Sequence, residues 1–102
     1  MSEVQQLANE IKKFVASRDW ERFHTPKNLS MALAGEAGEL VAEFQWLTEE
    51  ESLRTSLAPE KFKAIELEIA DVAIYLIRLA DVLGVDIFEV VLEKLEINET
   101  RF

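Results

Sequence analysis

PEKFKAIELEIADVAIYLIRLADVLG, residues 59–84, opens on a proline, closes on a glycine and holds neither in between. Proline at a first helical position has no N–H left wanting an acceptor, and glycine just past a helix end takes the left-handed turn that stops it. The spacing predicts one helix from Pro59 to Leu83. Ile65, Leu67, Ile69, Val72, Ala73, Ile74, Leu76, Ile77, Leu79, Ala80, Val82 and Leu83 cover nearly its whole circumference. A helix that is apolar all round has to be covered all round. The helices of one 102-residue subunit can hardly do that, so an oligomer with this helix at the interface is expected.

Upstream, Thr25 as cap and Pro26 at the first helical position predict a second helix running to about Leu47 through Leu29, Leu33, Ala37, Leu40, Val41 and Phe44. Before it, Val4, Leu7, Ala8, Ile11, Phe14 and Val15 repeat at helical spacing over residues 3–16, and Ser2 with Gln5 makes a capping box. Residues 17–26, SRDWERFHTP, have neither helical nor strand period but hold two aromatics and the single histidine, an aromatic connector of the kind that lines pockets. Thr48 and Glu51 form another capping box, for a short helical turn in TEEESLRTSL. Downstream of Gly84, Asp86 with Glu89 starts a fourth helix running towards Asn98. No stretch alternates as a strand and no linker or repeat divides residues 1–102, so a single all-α domain is expected.

Composition narrows the partners. Zero cysteines exclude a disulfide framework, thiolate metal sites and a cysteine nucleophile. A net charge of −9 repels nucleic-acid polymers and anionic lipid. The start, MSEVQQLANEIKK, is unlike a signal peptide, and Ile69 to Val85 is too short and too charged for a membrane span, which makes a cytoplasmic protein the expectation.

The acidic residues carry the chemistry. Glu36, Glu39 and Glu43 lie within about 60° of one another around the second helix, and Glu68 and Asp71 are three apart on the third. If those two helices pack antiparallel, carboxylates from both converge in an all-oxygen cage of the kind that hard Mg²⁺ or Mn²⁺ prefers. Carboxylates at such spacing on a helix are ordinarily a solvated face. Two features weigh against that reading here. Glu68 and Asp71 stand in the most apolar helix, where an unpaired charge is costly. Gly35 and Gly38 each cost about 1 kcal/mol relative to alanine inside a helix, and so want a reason such as close helix approach or room for metal and phosphate. Di-iron bundles use Glu-x-x-His pairs and zinc sites need His or Cys, while the single histidine lies in the connector, and there is no Gly-rich phosphate loop. Lys94, Asn98 and Arg101, at i, i+4 and i+7 of the fourth helix, could meet phosphate or could be an exposed face.

Taken together, the Glu36/Glu39 and Glu68/Asp71 motif pair, the run DWERFHTPKNLSMALAGEAGELVAEFQW, the segment EIADVAIYLIRLA and the ending KLEINETRF resemble the MazG-like all-α nucleoside triphosphate pyrophosphohydrolases, and within them the dCTP pyrophosphatase branch. The resemblance implies a four-helix bundle assembled as a homo-oligomer, tetrameric in that branch. It implies Mg²⁺, with Mn²⁺ as a possible substitute, held by Glu36, Glu39, Glu68 and Asp71. The implied reaction is attack of an activated water on the α-phosphate of a nucleotide such as dCTP with loss of pyrophosphate, Glu39 or Glu36 orienting the water. Trp20, Phe23, His24, Trp46 and Tyr75 match positions near the base, and Lys94, Asn98 and Arg101 positions at the phosphate or sugar. Phe23 and Trp46 could equally be core or interface filler, and a lone loop histidine can be a solvated side chain. Gly35 stands where the broader family often has the first of a Glu pair, which agrees with the dCTP pyrophosphatase branch. The competing readings are a non-enzymatic acidic interaction module, and the same fold acting on dUTP or phosphoribosyl-ATP.

Overall fold

A computed structural model describes residues 2–102, and those residues form helices and turns without a strand. α1 spans Glu3–Ser17, α2 Pro26–Phe44, α3 Pro59–Leu83 and α4 Ile87–Arg101, with 3₁₀ turns at Glu21–Phe23 and Arg54–Ser56. No helix among them is long and apolar enough to cross a membrane.

The helix ends follow the capping chemistry. The Gln5, Asn28 and Glu89 amides donate to the side chains of Ser2, Thr25 and Asp86 at 3.1, 3.2 and 3.0 Å. The expected box at Ser2 is only half made, because the Gln5 side chain turns away and donates to Asn9 Oδ1 at 3.2 Å. α2 ends at Phe44 rather than near Leu47, where a tight bond from the Leu47 amide to the Phe44 carbonyl at 2.9 Å replaces the helical pattern. The Thr48–Glu51 box closes in both directions, at 2.8 and 3.1 Å. It caps a single turn, with one helical bond from the Ser52 amide to the Thr48 carbonyl, because extended backbone at Leu53 stops propagation. α4 runs on past Asn98 to Arg101.

α3 is the spine, with α2 packed along it and α1 against another side. The α2–α3 pair is antiparallel. Glu43 reaches Lys61 at 2.9 Å, and Glu36, two turns back along α2, meets Glu68, two turns on along α3. Leu29 and Ile65 are buried with this pair, and Ala8, Val15, Ile77 and Ala80 complete the small core.

The expected four-helix bundle is not closed within one chain. α4 touches the other helices only slightly, and the radius of gyration is 16.1 Å where a compact chain of this length has about 13 Å. Phe88, Val91, Leu92 and Leu95 of α4 are exposed, as are Leu67, Ile69, Ile74 and Leu76 of α3. A cavity of about 230 Å³ remains where the start of α1, the end of α3 and the start of α4 meet. The physical reason is the one read from α3: a spine apolar on every side has only two helices laid against it.

The α3–α4 corner is set by one residue. Gly84 has φ +71°, its amide donates to the Asp81 carbonyl at 3.1 Å, and the Val85 amide donates to the Ala80 carbonyl at 2.8 Å. Those paired bonds define a Schellman cap, which needs the left-handed conformation that glycine adopts without penalty. A Cβ at this position would meet no atom within 4 Å, so the cost of adding one is conformational alone. Gly84→Ala is expected to lower stability by about 1–2 kcal/mol in chemical denaturation, with helix content unchanged.

Candidate metal centre

The antiparallel register decides which carboxylates meet. Glu36 on α2 and Glu68 and Asp71 on α3 each place an oxygen within 4.8 Å of the others. Oxygens on a magnesium ion are about 3 Å apart when adjacent and about 4 Å apart when opposite, so a trio of this size could be drawn together on a hard divalent cation by modest side-chain movement. Glu39 is not part of the tight group, though it stands one helical turn beyond Glu36 and its charge is felt at Glu68. Glu43 is drawn instead to Lys61.

Glu68 shows how the cluster fits a cation. Its Oε2 is buried without a hydrogen-bond partner. Burial, and then the charges of Asp71, Glu36, Glu39 and Glu43, push its carboxyl above the usual glutamate range. Among the described residues no ion pair reaches Glu36, Glu68 or Asp71, and none of those residues balances them. An all-oxygen trio with an orphaned buried oxygen is a fitting donor set for Mg²⁺ or Mn²⁺.

Gly35 and Gly38 are explained differently from one of the sequence expectations. A Cβ at either would meet nothing within 4 Å, so close helix approach within the chain is not their reason. They leave open space beside the carboxylates of α2.

The aromatic positions are held in different ways. Trp20 leans edge-on against Phe14, with ring centroids 5.8 Å apart, and the Arg18 guanidinium covers Phe14 at 3.9 Å. The Phe23 ring is exposed beneath Arg22, while its carbonyl accepts from Asn28 Nδ2 at 3.1 Å and ties the connector to α2. Trp46, just past the end of α2, is 88 % exposed and packs into no core of this chain. Tyr75 is half-buried and lies on the face of α3 that carries Glu68 and Asp71. Lys94, Asn98 and Arg101 share a face of α4, and no hydrogen bond or ion pair joins them to the carboxylates within the chain. Arg101 covers Phe102 instead, at 5.0 Å.

His24 has a partner that the sequence did not single out. Arg78 is buried, its Nε donates to His24 Nδ1 at 3.3 Å, and its Nη1 lies 3.7 Å from Asp81 Oδ2. Burial, and then the Arg78 charge, hold the His24 imidazole below its ordinary value. Spacing held the missing signal: Arg78 is two turns beyond Asp71 on the same face of α3.

The raised Glu68 carboxyl couples stability to pH. The folded chain holds this proton more tightly than the unfolded chain, so the stabilising contribution is complete below the ordinary glutamate range and is lost as pH rises through the raised value. In chelator, the wild-type melting temperature is expected to fall across that rise, and Glu68→Gln to melt higher than wild type at neutral pH. Added Mg²⁺ is expected to raise the wild type and leave Glu68→Gln behind, which differential scanning calorimetry would read directly.

Residues 32–102 match the MazG-like family. The chain is 46 % identical over 90 residues to dCTP pyrophosphatase 1 of Homo sapiens, with 88 % of this chain and 53 % of that protein aligned, and 42 % identical over 90 residues to dCTP pyrophosphatase 1 of Mus musculus, with the same coverage. It spans about half the length of the curated relatives it matches. A crystal structure of a pyrophosphatase from Archaeoglobus fulgidus superposes with a TM-score of 0.89 at 35 % identity, covering 100 % of this chain and 94 % of that one. With this helical order and the Glu36–Glu68–Asp71 cluster formed between α2 and α3, the chain belongs to the MazG-like family.

Proposed function

We propose that this chain is a nucleoside triphosphate pyrophosphohydrolase, dependent on Mg²⁺ with Mn²⁺ as a substitute, that converts a nucleotide such as dCTP to its monophosphate and pyrophosphate. The observation that carries the reading is the convergence of Glu36, Glu68 and Asp71 with a buried oxygen left unpartnered. The relatives' activity on dCTP supports the choice of base.

Glu36, Glu68 and Asp71 hold the ion, and Glu39, one turn along from Glu36 and outside the tight trio, is free to orient a water at the α-phosphate. Glu36 is the alternative for that role, since a ligand and a base present the same carboxylate. The ion supplies charge neutralisation at the phosphate oxygens and makes a water more acidic. With no Gly-rich loop to cradle it, the triphosphate depends on that charge and on a few cations. The base is taken between Trp20, Trp46 and Tyr75, with His24 at the edge.

The protomer by itself leaves this site unfinished. Trp46 stands in solvent, and Lys94, Asn98 and Arg101 do not reach the carboxylates of their own chain. We infer that neighbouring copies cover the exposed faces of α3 and α4, bringing Trp46 to the base and Lys94, Asn98 and Arg101 to the phosphate or sugar, in a homotetramer working in the cytoplasm.

Turnover is expected for a nucleoside triphosphate in a panel that includes dCTP, dUTP, dATP and phosphoribosyl-ATP, followed by pyrophosphate release, with dCTP among the best. Asp71→Asn and Glu36→Gln are each expected to lose about 100-fold or more in kcat/KM, the scale on which metal-site changes act. Wild-type turnover in both variants would sink the reading. Light scattering is expected to give a mass above that of the 11.7 kDa protomer, and Leu76→Glu on the exposed side of α3 to reduce it. A monodisperse, active monomer would remove the inferred assembly.

A further inference from the structure

A guanidinium has no lone pair to offer, so a hydrogen bond between Arg78 Nε and His24 Nδ1 can run in one direction only. Nδ1 must be the bare, accepting nitrogen, and the ring proton must sit on Nε2. The bond is 3.3 Å long, the Arg78 side chain is 9 % exposed, and Asp81 Oδ2 lies 3.7 Å from the other end of the guanidinium. Asp81, Arg78 and His24 thus form a line from α3 to the connector that also carries Trp20 and Phe23.

We propose that Arg78 is a positioning residue that locks His24 as the Nε2–H tautomer, so that a nucleotide in the pocket meets this imidazole as a hydrogen-bond donor and not as an acceptor or base. The consequence for substrate rests on the pyrophosphohydrolase reading; the tautomer does not. Arg78 stands two turns from Asp71 on one face of α3, about 10 Å along the axis from the carboxylates. With the phosphates at the carboxylates, that distance puts His24 at the nucleoside end. An imidazole kept uncharged there by burial and by Arg78 suits a carbonyl or hydroxyl oxygen of the nucleoside rather than a phosphate.

His24 is the only histidine of the chain, so nitrogen-15 NMR reads it without assignment. The wild-type protein is expected to show a protonated Nε2 and a bare Nδ1 at neutral pH, and Arg78→Met a mixture of tautomers. Arg78→Met is expected to raise the nucleotide KM about fivefold to tenfold with kcat little changed, the loss of one hydrogen bond. His24→Gln places an amide donor where Nε2–H stood, so adding Arg78→Met to it is expected to cost little more. A wild-type proton on Nδ1, an even tautomer mixture, or a folded Arg78→Met protein with wild-type spectrum and KM would overturn the proposal. If Arg78→Met does not fold, the wild-type spectrum still decides. If wild type turns over no nucleotide, the spectrum still decides and the enzymatic reading is what fails.

Discussion

Antiparallel packing of α2 on α3, in the register that sets Glu43 against Lys61 and Glu36 against Glu68, is the constraint on which the site depends. Two helical turns along either helix return a side chain to nearly the same direction, so one register places both pairs at once. Slipping either helix by a residue would turn the carboxylates about 100° away from each other. Leu29 and Ile65 are buried on this pair, and their burial favours the register against the mutual repulsion of the acidic groups. The Lys61–Glu43 pair relieves one carboxylate of α2, while among the described residues no ion pair reaches Glu36, Glu68 or Asp71.

That imbalance is a small-scale example of structure held against local electrostatics for a function. A buried carboxylate oxygen without a partner is costly in a folded chain, and the ordinary response is either protonation or a bound cation. Glu68 shows the first tendency, its carboxyl being pushed upward by burial and by its acidic neighbours. The same helix manages charge in the opposite way two turns further on. There a buried arginine is satisfied by a histidine on one side and an aspartate on the other, and the imidazole is held in one protonation pattern as a result. One face of α3 therefore carries an unbalanced acidic cluster at one end and the Arg78–His24 hydrogen bond at the other.

Much of this was legible before any coordinate. Helix caps and stops came from short-range chemistry: Thr25 and Pro26, Pro59, Gly84 and Asp86 mark ends that the structure keeps, because those residues act on backbone groups within a few positions. The misplacements are local competitions as well. Gln5 preferred Asn9 to the helix terminus, and extended backbone at Leu53 cut short the turn that Thr48 and Glu51 had capped. The acidic spacing on α2 and α3 was equally plain, since it depends only on the helical period.

What the residues settled by themselves is the type of each helix and where most of them start, the acidic and apolar stripes they carry, and the surplus of apolar surface on α3, all of which follow from interactions between near neighbours in the chain. Only the tertiary structure decided that oxygens of Glu36, Glu68 and Asp71 come within 4.8 Å of one another, that α4 stands away from the bundle of its own subunit, and that Arg78 finds His24 across 54 positions. Those outcomes turn on the rotation and register of whole helices against one another, and that geometry is set by packing between distant residues.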